Sequence, residues 1–544
     1  MNTQDSNTNA YMPLLFAIVL IVGMLLGFTL YEKLKGKPTY NLVLGNDIGE
    51  ISEVFNYINA RYVDTVDNEQ LTEKVIEETL KDLDPHSNYI APDELADVNE
   101  QLQGNFEGIG IEFSLIKDTI VVVTPITGGP SEKLGIQAGD KIIKIEDTIV
   151  SGTGLTNAKV MEKLRGKGGT IVNVSIYRNG VDELLEFPIK RDKIPLVSVD
   201  VNYMLDDEIG YIKINRFSAT TYDEFYKALI SLKETGMKKL IVDLRQNPGG
   251  YLDAAVNILD ELIDGKRMVV YTSGRNYKGR EYHAKRSGMF EYGDLAVLID
   301  EGSASASEIV SGAVQDWDRG TVIGRRSFGK GLVQEQYGLS NGGALRLTVA
   351  RYYTPAGRCI QKPYDEGREA YHGEIEERFR NGALQTADSN IVKNDSLIFK
   401  TLIKKREVYG GGGISPDVFV AADTTGMETF LIKTRGLIPQ FSYDYHSHHK
   451  AEFEKFTNLA AFKAKYEVSE TLFEQFKDYI QKEMGFLDNK ILERDKTELK
   501  TYIKAYIARQ LWNNNGYYPI MHELDETLEV AYEHLKKQKK TSRR

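Results

Sequence analysis

Cysteine is nearly absent. Cys359 is the only one in 544 residues, which excludes an intramolecular disulfide and leaves the redox compartment unread. Basic charge is also in deficit: 68 Lys and Arg stand against 79 Asp and Glu, a net charge of −11 with a pI near 5.5. That balance argues against nucleic acid as the main partner. Histidine is sparse, with eight in the chain. None lies between Ser305 and Lys330, although that alone does not exclude a distant histidine. The cluster His446-Ser447-His448-His449 has no acidic or cysteine partner at ligand spacing, so it reads as a solvated loop and not as a metal site. No fixed-period repeat and no low-complexity segment is present.

Long apolar runs are confined to one place. Tyr11 to Tyr31 carries no charge, and about 20 apolar residues suffice to span a bilayer. The run is long and no small-x-small site closes it before Glu32, so a retained anchor is expected and not a cleaved signal peptide. No cysteine follows, which excludes a lipoprotein anchor. Lys33, Lys35 and Lys37 lie after the span, whereas the tail 1–10 has no Lys or Arg; by the positive-inside rule the large C-terminal part faces the cytoplasm. From 40 to 94 the pattern is helical: Ile48, Ile51, Val54, Phe55 and Ile58 recur at helical spacing, then Leu71, Val75, Ile76 and Leu80. Packing or oligomerisation is the expected role there.

What the chain does contain is a serine cluster, Ser303-Ala304-Ser305-Ala306-Ser307-Glu308, running into the amphipathic pattern Ile309, Val310, Ala313, Val314, Trp317. The serines therefore sit at a helix N-terminus, where free N–H groups favour developing negative charge. Two readings compete. Ser305-Ala306-Ser307-Glu308 fits the S-x-x-E capping box, in which serine only ties off the helix. It also fits a nucleophile, if a base is near. Lys330, between Gly329 and Gly331 in an apolar run, is a candidate base, because burial disfavours its charged form. Gln334, four residues on, shares its face and can hold the amine. The competing G-x-S-x-G match, Gly338 to Gly342, is set aside: Leu345, Leu347 and Val349 alternate as a strand, and Ser340-Asn341-Gly342-Gly343 reads as a hairpin turn.

These segments resemble the C-terminal processing (tail-specific) serine peptidases, with PDZ domain. So do Asp84-Pro85-His86-Ser87, Leu244-Arg245-Gln246-Asn247-Pro248-Gly249-Gly250 and Tyr353-Thr354-Pro355-Ala356-Gly357. The resemblance covers about 45–420. It implies that Ser305 is the nucleophile, Lys330 the base 25 positions on and Gln334 its orienting residue. Ser303 and Ser307 are then structural. An N–H of Gly249 or Gly250, paired with that of Ala306, forms the oxyanion hole, and Asp316 is structural. It implies no metal and no cofactor.

The expected fold is α/β multidomain: an N-terminal membrane helix (11–31), an inserted PDZ domain (95–190), a crotonase-like peptidase core (194–425) and a helical C-terminal extension (426–544). For the extension a lid, a dimerisation arm or a docking surface are equally open. In the PDZ domain, Gly108, Gly110, Ile111 and Arg165 are the expected peptide-binding residues; backbone donors there hold a terminal carboxylate. Arg165 resembles an arginine that couples binding to activation in some relatives, and reads equally as a surface charge. Expected partners are protein substrates with accessible C-termini, the membrane, and a second copy as homodimer. The resemblance places the peptidase on the periplasmic or outer side of the inner (cytoplasmic) membrane, and since long domains translocate regardless of local charge, that side is preferred. The rival reading is a catalytically silent, membrane-tethered PDZ adaptor, which has no need of Ser305, Lys330 and Gln334 together.

Overall fold

The computed structural model describes residues 48–126, 128–386, 397–423 and 429–537. The expected anchor, 11–31, lies outside them, and no described helix is long and apolar enough to cross a membrane. The chain divides into two compact units, up to Val75 and from Ile76 on. The first holds the helix Ile48–Arg61, whose Ile51, Val54 and Tyr57 are exposed.

The second unit is built on a six-stranded sheet. Val199–Met204 lies antiparallel at one edge beside Ile209–Ile214. Lys239–Asp243, Asp294–Ile299, Thr321–Gly324 and Val418–Phe419 follow, all parallel. The apolar runs Leu240-Ile241-Val242 and Leu295 to Ile299 have no polar alternation because both faces are covered. On one face Leu240, Val242, Leu295 and Val297 meet Leu229, Ile258 and Val310 from the helices Thr221–Glu234, Leu252–Leu262 and Ala306–Asp316. On the other, Tyr211, Ile241, Ala296 and Leu298 meet Leu528, Ala531 and Leu535 of the helix Glu526–Lys537.

The C-terminal extension is therefore not a separable appendage. Its last helix is a layer of the peptidase core, tied down where Arg245 spans Asp243 and Asp525, each at 2.6 Å. Between them, 429–521 form a helical body with its own core of Phe462, Phe473, Phe476 and Ile503. His446 to His448 close the helix Thr429–His448, and His446 packs on Phe453. The expected loop there is helix, because Phe441 and Tyr443, buried upstream, carry the helical pattern through Pro439.

The PDZ sheet runs in the order Ile111–Ile116, Thr119–Pro125, Lys141–Ile145, Ile171–Tyr177, Leu185–Lys190, with Ile111–Ile116 at the edge. Its core is Ile120, Val122, Ile142, Val160 and Val174. Residues 95–103, expected inside this domain, instead form a helix that precedes it. The short antiparallel ribbon of Asn105–Gly108 with Asp192–Pro195 carries the chain in and out. The sheet also meets the extension: Ile116 of the edge strand and Val121 of its neighbour pack on Tyr443, and Arg509 pairs with Glu112 at 2.8 Å.

A five-stranded sheet flanks the active cleft. Ala344–Tyr353 pairs with Leu332–Gly338 through the turn expected at Ser340 to Gly343, and on its other side with Asn88–Ile90 and Met268–Ser273. Asp316, as expected, serves structure: it pairs with Arg358 at 2.6 Å, both fully buried, which fastens the end of the serine helix to the Thr354-Pro355-Ala356-Gly357 turn.

His522 reports on the extension's seat. It packs edge-on to Tyr211 and bonds the Tyr203 hydroxyl, and burial holds it down to about 4. Unfolded histidine titrates near 6.5, so as pH falls the unfolded chain takes up the proton first. The stability contributed by neutral His522 is complete above about 6.5 and is lost between there and about 4. The melting temperature is expected to fall over that window, and to fall less in His522→Gln. A drop of equal size in the variant would contradict this seat for His522.

Candidate active site

The strand Asp294–Ile299 ends in the turn Asp300 to Ser305, which opens the helix Ala306–Asp316. Its serines have different employments. Ser303, fully buried, donates to the Leu244 carbonyl and accepts the Asp300 N–H, both at 2.9 Å. Ser307 donates to the Asn247 carbonyl at 2.9 Å. The Ser305 hydroxyl makes no capping bond to the helix. It stands partly exposed in a cleft of about 930 Å³ that Lys330, Gln334, Gly249 and Gly250 also line. Ser305 holds φ 55° and ψ −111°, a region costing about 1–3 kcal/mol that persists where the surroundings enforce it.

Glu308 enforces it. The Glu308 half of the capping box serves the site. Glu308 Oε2 accepts the N–H groups of Ser305 and Lys330, each at 2.8 Å. Oε1 accepts the Ser327 hydroxyl at 2.5 Å and the Gly329 N–H at 2.7 Å. Burial pushes this carboxyl above its usual range, against the pull of those four donors. From the other side the Tyr352 hydroxyl lies between the carbonyls of Ser305, at 3.0 Å, and of Lys330.

Lys330 sits just before the strand Leu332–Gly338, and its Nζ donates to Gln334 Oε1 at 3.1 Å. Burial lowers the lysine's pKa, and the nearby Arg346 lowers it further, while Asp84 and Glu308 oppose. Arg346, Glu308 and Tyr352 were not singled out from sequence as site residues. The only signal among them was the S-x-x-E pattern at Glu308, which reads equally as a cap.

Gly249 and Gly250 follow Asn247, whose side chain bonds the Ile214 carbonyl and accepts the Gly249 N–H, both at 2.9 Å. Gly249 thus has its donor committed. Neither the Gly250 nor the Ala306 N–H finds an acceptor among the described residues. A Cβ on Gly249 would stand 2.7 Å from that of Ser305, and one on Gly250 only 1.9 Å from the Phe217 carbonyl oxygen. Glycine is required there so that two main chains can meet.

Of the expected peptide contacts, Gly110 (φ +73°) and Ile111 open the PDZ edge strand. Gly108 does not: it pairs with Asp192 inside the entry ribbon. Arg165 lines the same cleft as Ser305, bonded to Asp97 at 3.0 Å and Glu100 at 3.1 Å, over the Phe106 ring.

A strained serine at a helix N-terminus, a half-buried lysine in the same cleft and the unpaired N–H groups of Gly250 and Ala306 beside that serine make up a candidate serine hydrolase site. The model described as Peptidase family S41 matches 208–366, the PDZ domain model 108–189, and a family of unknown function (DUF8443) 431–513. The carboxy-terminal-processing protease of Bartonella bacilliformis is 38% identical over 319 residues, 58% of this chain and 72% of that protein. Carboxy-terminal processing protease CtpB of Bacillus subtilis is 35% identical over 316 residues, 58% of this chain and 65% of that protein. Among solved structures, a photosystem II D1 C-terminal processing protease aligns at 26% identity and TM-score 0.36, over 69% of this chain and 88% of that one. The chain belongs to peptidase family S41, the carboxy-terminal processing serine proteases.

Ser305→Ala is expected to lower kcat by about 10⁴-fold or more at unchanged stability. Ser303→Ala, which strands two buried groups, should lose about 1–3 kcal/mol yet keep cleavage in its folded fraction. Proteolysis assays beside urea unfolding separate the two. Equal loss of turnover per folded molecule would overturn the choice of Ser305.

Proposed function

We propose that the protein is an endopeptidase, anchored by residues 11–31 with its catalytic part on the periplasmic or outer side, that holds protein C-termini on its PDZ edge strand. The observation that supports the chemistry most is Glu308, whose single carboxylate binds the main chain of both Ser305 and Lys330. Neutral Lys330 takes the Ser305 proton as Oγ attacks the scissile carbonyl carbon. The oxyanion is received by the N–H groups of Gly250 and Ala306, each such donor being worth roughly 100–1000-fold in rate. The lysine ammonium then protonates the leaving amine, and neutral again, it activates water to release the acyl group. Gln334 keeps Nζ in place throughout. In this reading the core is crotonase-like and uses no metal or cofactor. The exposed stripe Ile51, Val54, Tyr57 supports a homodimer through the first helix.

A silent adaptor has no use for a strained Ser305 and a half-buried Lys330 lining one cleft, and the intact cleft favours the enzyme. Lys330→Arg is the test. Guanidinium keeps its proton at any working pH, so the variant should be inactive. In the native enzyme the rate should climb as Lys330 loses its proton and level off below the ordinary lysine value of about 10.5. Near-native turnover in Lys330→Arg would refute the Ser–Lys mechanism.

A further inference from the structure

The loop Asp84-Pro85-His86-Ser87 is not part of the cleft lining, yet it is two hydrogen bonds from Lys330, through Gln334. Its own fixation comes first. Asp84, nearly buried, accepts the N–H of His86 at 2.8 Å and of Ser87 at 2.9 Å through Oδ1, and the Ser87 hydroxyl at 2.5 Å through Oδ2. The same carboxylate accepts the Thr348 hydroxyl at 3.0 Å, and Ser87 Oγ accepts the Thr348 N–H at 3.0 Å. Thr348 stands opposite Gln334 in the hairpin. Arg368 closes the loop from outside, donating to the carbonyls of Asp84 at 3.2 Å and Ser87 at 2.6 Å. With the loop so fixed, the His86 carbonyl accepts Gln334 Nε2 at 2.6 Å.

That last bond decides an orientation. A side-chain amide has an accepting end and a donating end of nearly equal size. A peptide carbonyl only accepts, so Gln334 must turn its NH₂ to His86 and its Oε1 to Lys330. Reversed, the amide would set oxygen against oxygen on one side and N–H against N–H on the other. With Oε1 holding one N–H of the neutral amine, the nitrogen lone pair is directed elsewhere in the cleft. We propose that Asp84, through Ser87 and the His86 carbonyl, is a positioning residue for the general base, setting the Gln334 amide so that the Lys330 lone pair meets the Ser305 proton. The proposal rests on the Ser–Lys–Gln reading above. The His86 ring is not itself the working group: its Nε2 bonds the Tyr371 hydroxyl at 2.8 Å, and burial with the neighbouring Lys330 charge holds it near 3, neutral at working pH.

The test is a double-mutant cycle in the full chain, with a quencher-labelled unstructured polypeptide as substrate. Gln334→Ala and Asp84→Ala should each lower kcat by about 10–100-fold, the scale of a misplaced catalytic group, with KM moved less than about 2-fold. The double variant should be no slower than Gln334→Ala within about 2-fold, because both remove one device. The rising limb of the pH–rate profile should shift in the same direction in both single variants. Multiplied losses in the double variant, or near-native kcat in Asp84→Ala, would overturn the role of Asp84 while leaving Gln334 in place. Native kcat in Gln334→Ala would overturn the Ser–Lys–Gln reading and this proposal with it. Should Asp84→Ala not fold, Ser87→Ala replaces it in the same cycle with the same expected non-additivity.

Discussion

One buried carboxylate organises this site. Glu308 is fully buried, and four protein donors converge on its two oxygens; a buried polar group left without such partners costs about 1–3 kcal/mol or more. Those donors come from two separate stretches of chain. Ser305 belongs to the turn that opens the serine helix; Ser327, Gly329 and Lys330 belong to the loop before the hairpin. The need to satisfy Glu308 therefore brings the main chains of Ser305 and Lys330 to one place, and it accounts for Ser305's backbone at φ 55°. The helix N-terminus that Glu308 caps is the same one whose Ala306 N–H is left unpaired among the described residues.

The larger scaffold follows a similar economy. A parallel sheet needs cover on both faces, and this chain supplies the second cover from its far end, with Leu528, Ala531 and Leu535. The Asp243–Arg245–Asp525 bridge lies two residues before Asn247-Pro248-Gly249-Gly250, so the extension is seated against the same segment that frames the oxyanion donors. The extension also touches the PDZ sheet through Tyr443 and Arg509. Catalytic cleft, peptide-binding domain and C-terminal helices are thus fastened by side chains that meet across hundreds of residues.

Much of this was legible in sequence where the signal is local. The Ser340 turn follows from short-range turn chemistry, and the serine cluster with the apolar spacing after it marks the start of the helix Ala306–Asp316. What sequence withheld were relations at a distance. The extension was expected to be helical, but not to seat Leu528 and Leu535 on a sheet face, because an apolar strand shows that it needs cover, not where the cover lies in the chain. Gly108 looked like part of a peptide loop, yet pairing with Asp192, 84 residues on, places it in a two-stranded ribbon. Gly249 looked equivalent to Gly250 until the Asn247 side chain claimed its N–H. Asp84 looked like a family marker with no chemistry until Thr348 and Gln334 were seen beside it.

The proposed mechanism turns on Lys330 losing its proton readily, since its partial burial and the nearby Arg346 charge both lower its pKa. The most direct measurement is an NMR titration of the ¹⁵N-labelled Lys330 Nζ in the folded Ser305→Ala protein, assigned by its loss in Lys330→Arg. The account predicts a titration below the ordinary lysine value of 10.5, moving back toward it in Arg346→Gln as the neighbouring positive charge is removed. A Lys330 that titrates at or above the ordinary value would contradict the account.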